Sequence, residues 1–169
     1  NEMWFPGETL INGIGQGFML ATPPQLTSFT AALTQGGKRF KPTILKATQD
    51  PQTKAIQSIE PTALEAVHQI KFSNWEVILR AMRQVVHGRK GSARGIGYGI
   101  QYQMAGKTGT SQVFGIKAGE RYRKEELSKK LHDHALFVGF APYKKPTIAV
   151  SAIVENGGGG GAVAAPIVR

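Results

Sequence analysis

The last third of the chain most constrains its fold. A run carrying Lys107-Thr108-Gly109-Thr110 is followed, after a charged excursion, by His134 to Phe140 (HALFVGF) and Thr147 to Glu155 (TIAVSAIVE). These runs are short, rich in apolar and β-branched residues, and bounded by Gly, Pro and Asn, which is how strands read. The last two are joined by the six residues APYKKP, too short for a crossover and right for a hairpin connection. The order strand, excursion, strand, hairpin, strand calls for an antiparallel sheet.

The first half supplies helices to cover it. Thr22-Pro23-Pro24-Gln25 sets Thr at the N-cap, Pro at the first helical position and Gln at the third, a capping-box start. Leu26, Phe29, Ala32 and Leu33 follow at helical spacing, and Gly36-Gly37 stops the run, so a helix is predicted over 23–35. Ser73-Asn74-Trp75-Glu76 reads as a second capping box, before the stripe Trp75, Ile78, Leu79, Met82, Val85 and Val86, with Gly88 ending the helix. The stripe reads as core. Pro42, Pro51 and Pro61 break residues 38–72 into short pieces, with a short strand expected over Lys41 to Lys46. A short helix is expected from Lys124 to Leu131, a flexible turn at Asn156 and Gly157 to Gly161, and the start of another element in AVAAPIVR. There is no internal repeat. The class is α+β, with an antiparallel sheet covered by helices in one domain, 1–169.

Composition narrows the function. Cysteine is absent, which removes disulfides, thiolate metal sites and Cys nucleophiles. No run of about 18 apolar residues is present to span a bilayer. The opening Asn1-Glu2-Met3-Trp4 has neither the basic start nor the apolar stretch of a signal peptide and reads as a start inside a longer protein. The formal net charge is +10, which suits an anionic partner, but the basic clusters (Lys38 to Lys41, Arg89 to Arg94, Arg121 to Lys130) carry no nucleic-acid module with interleaved aromatics.

Glycine patterns argue against nucleotide chemistry. Gly13, Gly15 and Gly17 miss the dinucleotide spacing at Phe18, and Gly95, Gly97 and Gly99 miss it at Ile100. The first triplet reads instead as a tight, buried backbone approach. AGKT lacks the leading glycine of a phosphate loop, because position 101 is Gln101. His132-Asp133-His134 could offer metal ligands from one strand face, yet no further His or carboxylate cluster completes a set; a hydrogen-bonding role at the strand start fits better. Ser111 with His132 or His134 lacks a third partner for a triad. Glu155-Asn156 reads as a turn cap.

The five residues Lys107 to Ser111 remain: a cation, three hydroxyls and a glycine. K-T-G occurs in serine acyl-transferases that open β-lactams, together with S-x-x-K and S-D-N. On a strand edge, Gly109 lets a substrate lie directly on the backbone. The Thr110 N–H can meet a developing oxyanion, and such a donor is worth about 3–4 kcal/mol of barrier. Lys107 supplies a positive field for a substrate carboxylate and for proton traffic at the nucleophile. Thr108 and Thr110 project to one face, where both hydroxyls can hold that carboxylate. A peptide substrate would add itself to the edge by backbone pairing.

Taken together, GETLINGIGQGFMLATPPQL, AGKTGTSQVFG and the long block from KAGERYRKEELSKK through HDHALFVGFAPYKKPTIAVSAIVENGGGGGAVAAPIV resemble, in this order, the C-terminal half of the transpeptidase domain of the penicillin-binding protein 2 family, the class B enzymes of the cell-elongation machinery. The resemblance implies a fold of the penicillin-binding transpeptidase and serine β-lactamase kind, incomplete in this chain. It implies a serine D,D-transpeptidase of the periplasmic face of the inner membrane, held by an N-terminal anchor outside this chain. Lys107 and Thr110 would be catalytic, and Thr108, Gly109 and Thr110 would bind substrate. Stem peptides of peptidoglycan, β-lactams and a membrane glycan polymerase would be its partners, with no nucleic acid, metal or organic cofactor.

One departure accompanies the resemblance. Of the seven serines, Ser28, Ser58, Ser73, Ser92, Ser111, Ser128 and Ser151, none has Lys three positions on or Asn two positions on. The nucleophile, its lysine and the second motif are expected upstream, in a part of a longer protein. The chain alone is expected to form no acyl-enzyme and to be unstable or to associate through its unpaired edge. The competing reading is a penicillin- or peptidoglycan-binding module that kept K-T-G and lost the serine.

Overall fold

The computed structural model describes residues 3–67, 71–113 and 128–169. Its centre is a three-stranded antiparallel sheet in the order β5 (Ala105–Ser111), β6 (His134–Ala141), β7 (Ile148–Val154). The expected hairpin joins β6 and β7, with Ala141 opposite Ile148. β5 pairs with β6 from Ala105 opposite Phe140 to Ser111 opposite His134. This puts β5 at an edge of the sheet.

Alternation along β6 sorts the core into two clusters. Ala135 and Phe137 face α5 (Ala164–Val168), where Ala164, Ala165, Val86, Ala93, Met104 and Ile96 of the short α4 (Arg94–Gly97) join them. Phe140 and the half-buried Val138 face the opposite way, toward Ala105, Leu33, Trp75 and Met82. Those last three come from α2 (Pro23–Thr34) and α3 (Phe72–His87). Phe137 and Phe140 are almost completely buried, so the sheet is sandwiched where β6 is most apolar.

α2 starts as the sequence suggests. The Gln25 carboxamide oxygen accepts the Thr22 N–H at 2.8 Å, and the Thr22 hydroxyl accepts the Gln25 N–H at 3.4 Å. Gly36 and Gly37 end it with φ of 62° and 91°. The Ser151 hydroxyl of β7 donates to the Pro23 carbonyl at 2.9 Å, tying the helix to the sheet. Phe29, expected on the apolar face, is exposed.

The α3 stripe is also as expected at Trp75, Met82 and Val86, which are buried, whereas Ile78, expected in the core, is exposed. The expected capping box is not formed. Lys71 is the N-cap and its side chain makes no capping bond, so Ser73 already lies inside the first turn, where its hydroxyl is out of position to cap.

Residues Lys41 to Lys46 are not a strand. They connect β1 (Arg39–Phe40) to β2 (Ala47–Gln49), and pairing occurs on either side of them: β1 with β4 (Ala63–Leu64), β2 with β3 (Ile56–Ser58). Pro42 has no N–H for a ladder, so the β1–β4 pairing runs out at the Lys41 N–H, which donates to the Thr62 carbonyl at 2.9 Å. The β2–β3 turn is closed by Asp50, whose carboxylate accepts the N–H groups of Gln52 and Thr53 at 2.8 and 2.7 Å. Those bonds, Thr53 first, hold its carboxyl below the usual carboxylate range.

The helix expected at Lys124–Leu131 lies mostly outside the described residues; its end is a single 3-10 turn, Lys129–Leu131. Two glycine expectations need correction. Gly13 to Gly17 is not buried: it closes α1 (Pro6–Gly13) and the following turn, and of its residues only Gln16 is even half-buried. Gly157 to Gly161 is not a slack turn either. A Cβ at Gly160 would meet the carbonyl oxygens of Leu136 and Gly109, and one at Gly161 would meet the Ser92 carbonyl. At these two positions the loop packs backbone to backbone, which only glycine permits.

Candidate active site

β5 is anchored at one end and open at the other. Met104 and Ala105 are buried, and the Met104 N–H donates to Nε2 of His87 at 3.3 Å, fastening the strand to the last turn of α3. Beyond Gly106 the strand emerges: Lys107 and Thr110 are exposed, Thr108, Gly109 and Ser111 half-buried.

The hydrogen bonds fix which backbone groups face outward. The Lys107 ammonium donates to the Thr108 carbonyl at 2.6 Å, and the Gln16 carboxamide donates to the Thr110 carbonyl at 2.9 Å. Both carbonyls therefore point away from β6. In an antiparallel ladder the N–H and C=O of one residue point the same way, so the N–H groups of Thr108 and Thr110 also line the open edge. Lys107, Gly109 and Ser111 are the residues whose backbone faces β6.

Side chains alternate about this edge. Thr108 and Thr110 lie on the α5 side, opposite Phe137 and Ala135; Lys107 and Gly109 lie on the other, opposite Val138 and Leu136. The edge thus presents an ammonium on one side, two threonine side chains on the other, and a backbone N–H between them. Glycine at 109 has a reason beyond substrate approach. A Cβ there would come 3.1 Å from the Leu136 Cβ, and the Gly160 backbone presses on the Gly109 carbonyl from the α5 side. Gly106 is similarly shut in by Phe137 and the Val138 carbonyl.

Two residues outside the motif act on it. Ser92 follows α3, and its hydroxyl lies 2.8 Å from that of Thr108. Its position is set by the Ala93 N–H, which donates to the Val85 carbonyl at 3.0 Å, and by Gly91, whose α-carbon sits against the carbonyls of Val85 and Gln84. The Thr108 side chain is held between this hydroxyl and Gly161. Gln16 is the second. Sequence reasoning singles out neither. Ser92 sits in a stretch that reads only as basic and glycine-rich, and Gln16 stands between two glycines that draw the attention.

The remaining candidates fall elsewhere. Ser111 is opposite His134, but the His134 Nδ1 accepts the Asn156 N–H at 2.9 Å, at the start of β6. Asn156, with φ of 54°, donates through its carboxamide to the carbonyls of Lys130 and His132, both at 2.9 Å. It is the turn cap. Among the described residues, no group of three or more His, Asp or Glu is placed to hold a metal ion.

Comparison with known proteins gives a consistent picture. The family model described as the penicillin binding protein transpeptidase domain matches residues 1–169. A peptidoglycan D,D-transpeptidase MrdA of Haemophilus influenzae is 39% identical over 98% of this chain, and the chain spans 25% of that protein's length. The structure of Pseudomonas aeruginosa PBP2 in complex with WCK 5153 superposes with a TM-score of 0.77 at 42% identity, covering 99% of this chain and 32% of that one. A Helicobacter pylori PBP2 structure, solved as a complex with MreC, superposes with a TM-score of 0.73 at 27% identity, covering 99% of this chain and 27% of that one.

Proposed function

This chain belongs to the penicillin-binding protein transpeptidase family, and from that membership we propose that the intact protein is a serine D,D-transpeptidase that cross-links peptidoglycan stem peptides during cell-wall elongation. A serine outside this chain attacks the carbonyl between two terminal D-Ala residues. The peptide C–N bond breaks, the terminal D-Ala leaves with a proton, and an ester to the serine remains. The amine of a neighbouring stem then attacks the ester, forming the cross-link and returning the proton to the serine. β-Lactams acylate the same serine.

This chain provides one wall of that site. The observation carrying the proposal is the outward face of β5, where the Thr110 N–H lies on an edge that no strand pairs among the described residues, beside the Lys107 ammonium and the hydroxyl-bearing side of Thr108 and Thr110. That arrangement suits an oxyanion donor, a cation near the nucleophile and a carboxylate clamp. The protein works at the periplasmic face of the inner membrane, beside a glycan polymerase; the MreC complex of the H. pylori relative supports an elongation setting.

The test is labelling of the intact protein with a fluorescent penicillin. Wild type is expected to label at a single serine upstream of residue 1, and Lys107→Ala to slow acylation about 100-fold or more while the melting temperature stays within a few degrees. Absence of label on a folded wild-type protein would leave the binding-module reading in its place.

A further inference from the structure

The glycines around Gln16 are not explained by the proposed acyl transfer alone. Gly15 and Gly17 have φ of 78° and 69°, a region that side chains rarely adopt, and Gln16 stands between them. The turn is closed on α1: the Gly15 N–H donates to Asn12 and the Gln16 N–H to Ile11, at 2.9 and 3.2 Å. The Trp4 and Phe18 rings, 6.4 Å apart, bring the two ends of the segment together. The neighbours of Gln16 in this turn are exposed, and Gln16 alone is half-buried, because its carboxamide reaches the Thr110 carbonyl. The turn is shaped to deliver this one side chain to the edge of β5.

The atom it reaches has a second use. Thr110 turns both its N–H and its C=O outward, so a strand lying antiparallel on β5 would exchange two bonds with it through one of its own residues. If the Thr110 N–H holds the carbonyl under attack, the Thr110 C=O accepts the N–H of that same substrate residue. Gln16 supplies a substitute for this second bond.

We infer that Gln16 is an exchangeable cap on the substrate-pairing edge: its carboxamide holds the Thr110 carbonyl before the acyl donor arrives, and yields it to the amide N–H of the residue whose carbonyl is attacked. The inference rests on the transpeptidase reading and deepens it. The cap keeps a bare strand edge from pairing with other chains. It also makes Gln16 a specificity residue. A donor with the amide N–H replaces the bond it displaces, whereas one lacking it leaves the cap in place or the carbonyl unpaired.

The test compares two β-lactams on the intact protein. Benzylpenicillin carries an acylamino N–H next to its reactive carbonyl; imipenem has a hydroxyethyl group there and no N–H. Removing the cap removes a competitor for the first drug only. Gln16→Ala is expected to speed acylation by benzylpenicillin about threefold to tenfold. Imipenem acylation should stay within about twofold, since the displaced bond is a single net hydrogen bond that it does not use. Gln16→Met, which keeps the length of the side chain without its hydrogen bond, should do the same and serves if Gln16→Ala does not fold. Equal changes for both drugs, an unchanged ratio, or a slower benzylpenicillin reaction would overturn the role given to Gln16. A wild-type protein that neither drug acylates would overturn the transpeptidase reading instead.

Discussion

Two glycine-rich segments, one near each end of the chain, converge on β5, and glycine serves a different purpose in each. Gly157 to Gly161 lies against the sheet: Gly160 abuts the carbonyls of Leu136 and Gly109, and Gly161 that of Ser92. At Gly160 and Gly161 the absent side chain is what matters, since a Cβ would enter space already filled by backbone. Gly13 to Gly17 reaches the strand through the Gln16 carboxamide, and a Cβ at Gly13 or Gly15 would have nothing within 4 Å of it. At Gly15 the backbone angle is what matters, and at Gly13 neither reason applies. Similar composition thus conceals a steric requirement at Gly160 and Gly161 and a conformational one at Gly15.

Substitutions separate the two. Gly160→Ala in the intact protein is expected to be the most damaging, because backbone on both β5 and β6 must move; a loss of about 3 kcal/mol in denaturant unfolding is expected. Acylation should fall with it, since the displaced groups include Gly109. A melting temperature unchanged by this substitution would mean that the loop is not packed on the sheet as described. Gly15→Ala has room for its methyl group and bears only the strain of a left-handed residue, about 1 kcal/mol. Gly15→Asn should recover part of that loss, which a steric clash would not allow. If Gly15→Ala proved as harmful as Gly160→Ala, the distinction between the segments would collapse. Gly13→Ala should have the smallest effect. As the last residue of α1, with open space around it and no positive φ, it should be neutral or stabilising by about 0.5 kcal/mol in the same unfolding measurement.

Much of the framework was legible in the sequence because it depends on local rules. The Thr22–Gln25 box, the apolar stripe from Trp75 to Val86 and the short apolar run of β6 each report a neighbour a few residues away. The K-T-G stretch was legible as a strand for the same reason. Where local rules competed, the reading failed. Ser73 had the chemistry of a cap, but α3 begins ahead of it at Phe72. Lys41 to Lys46 had a strand-like composition, but the pairing partners lie to either side.

The site was legible only in part. Lys107, Thr108, Gly109 and Thr110 stand together because they are consecutive, and period-two alternation was enough to assign the two threonines one face. Ser92 lies 16 residues from Thr108, and Gln16 lies 94 from Thr110. No periodicity links such pairs. Their meeting depends on how α3 returns to the sheet and how the α1 turn approaches its edge.

By itself, then, the sequence determined the strands and the main helices, the antiparallel sense of the closing hairpin, and the chemical groups carried by β5. Tertiary structure alone decided that β5 lies at an edge, that Thr110 turns its backbone outward, and which distant residues touch it. The physical reason is range: propensity, capping and alternation act within a turn or two of chain, whereas a contact between remote residues is set by the packing of whole elements around a shared core.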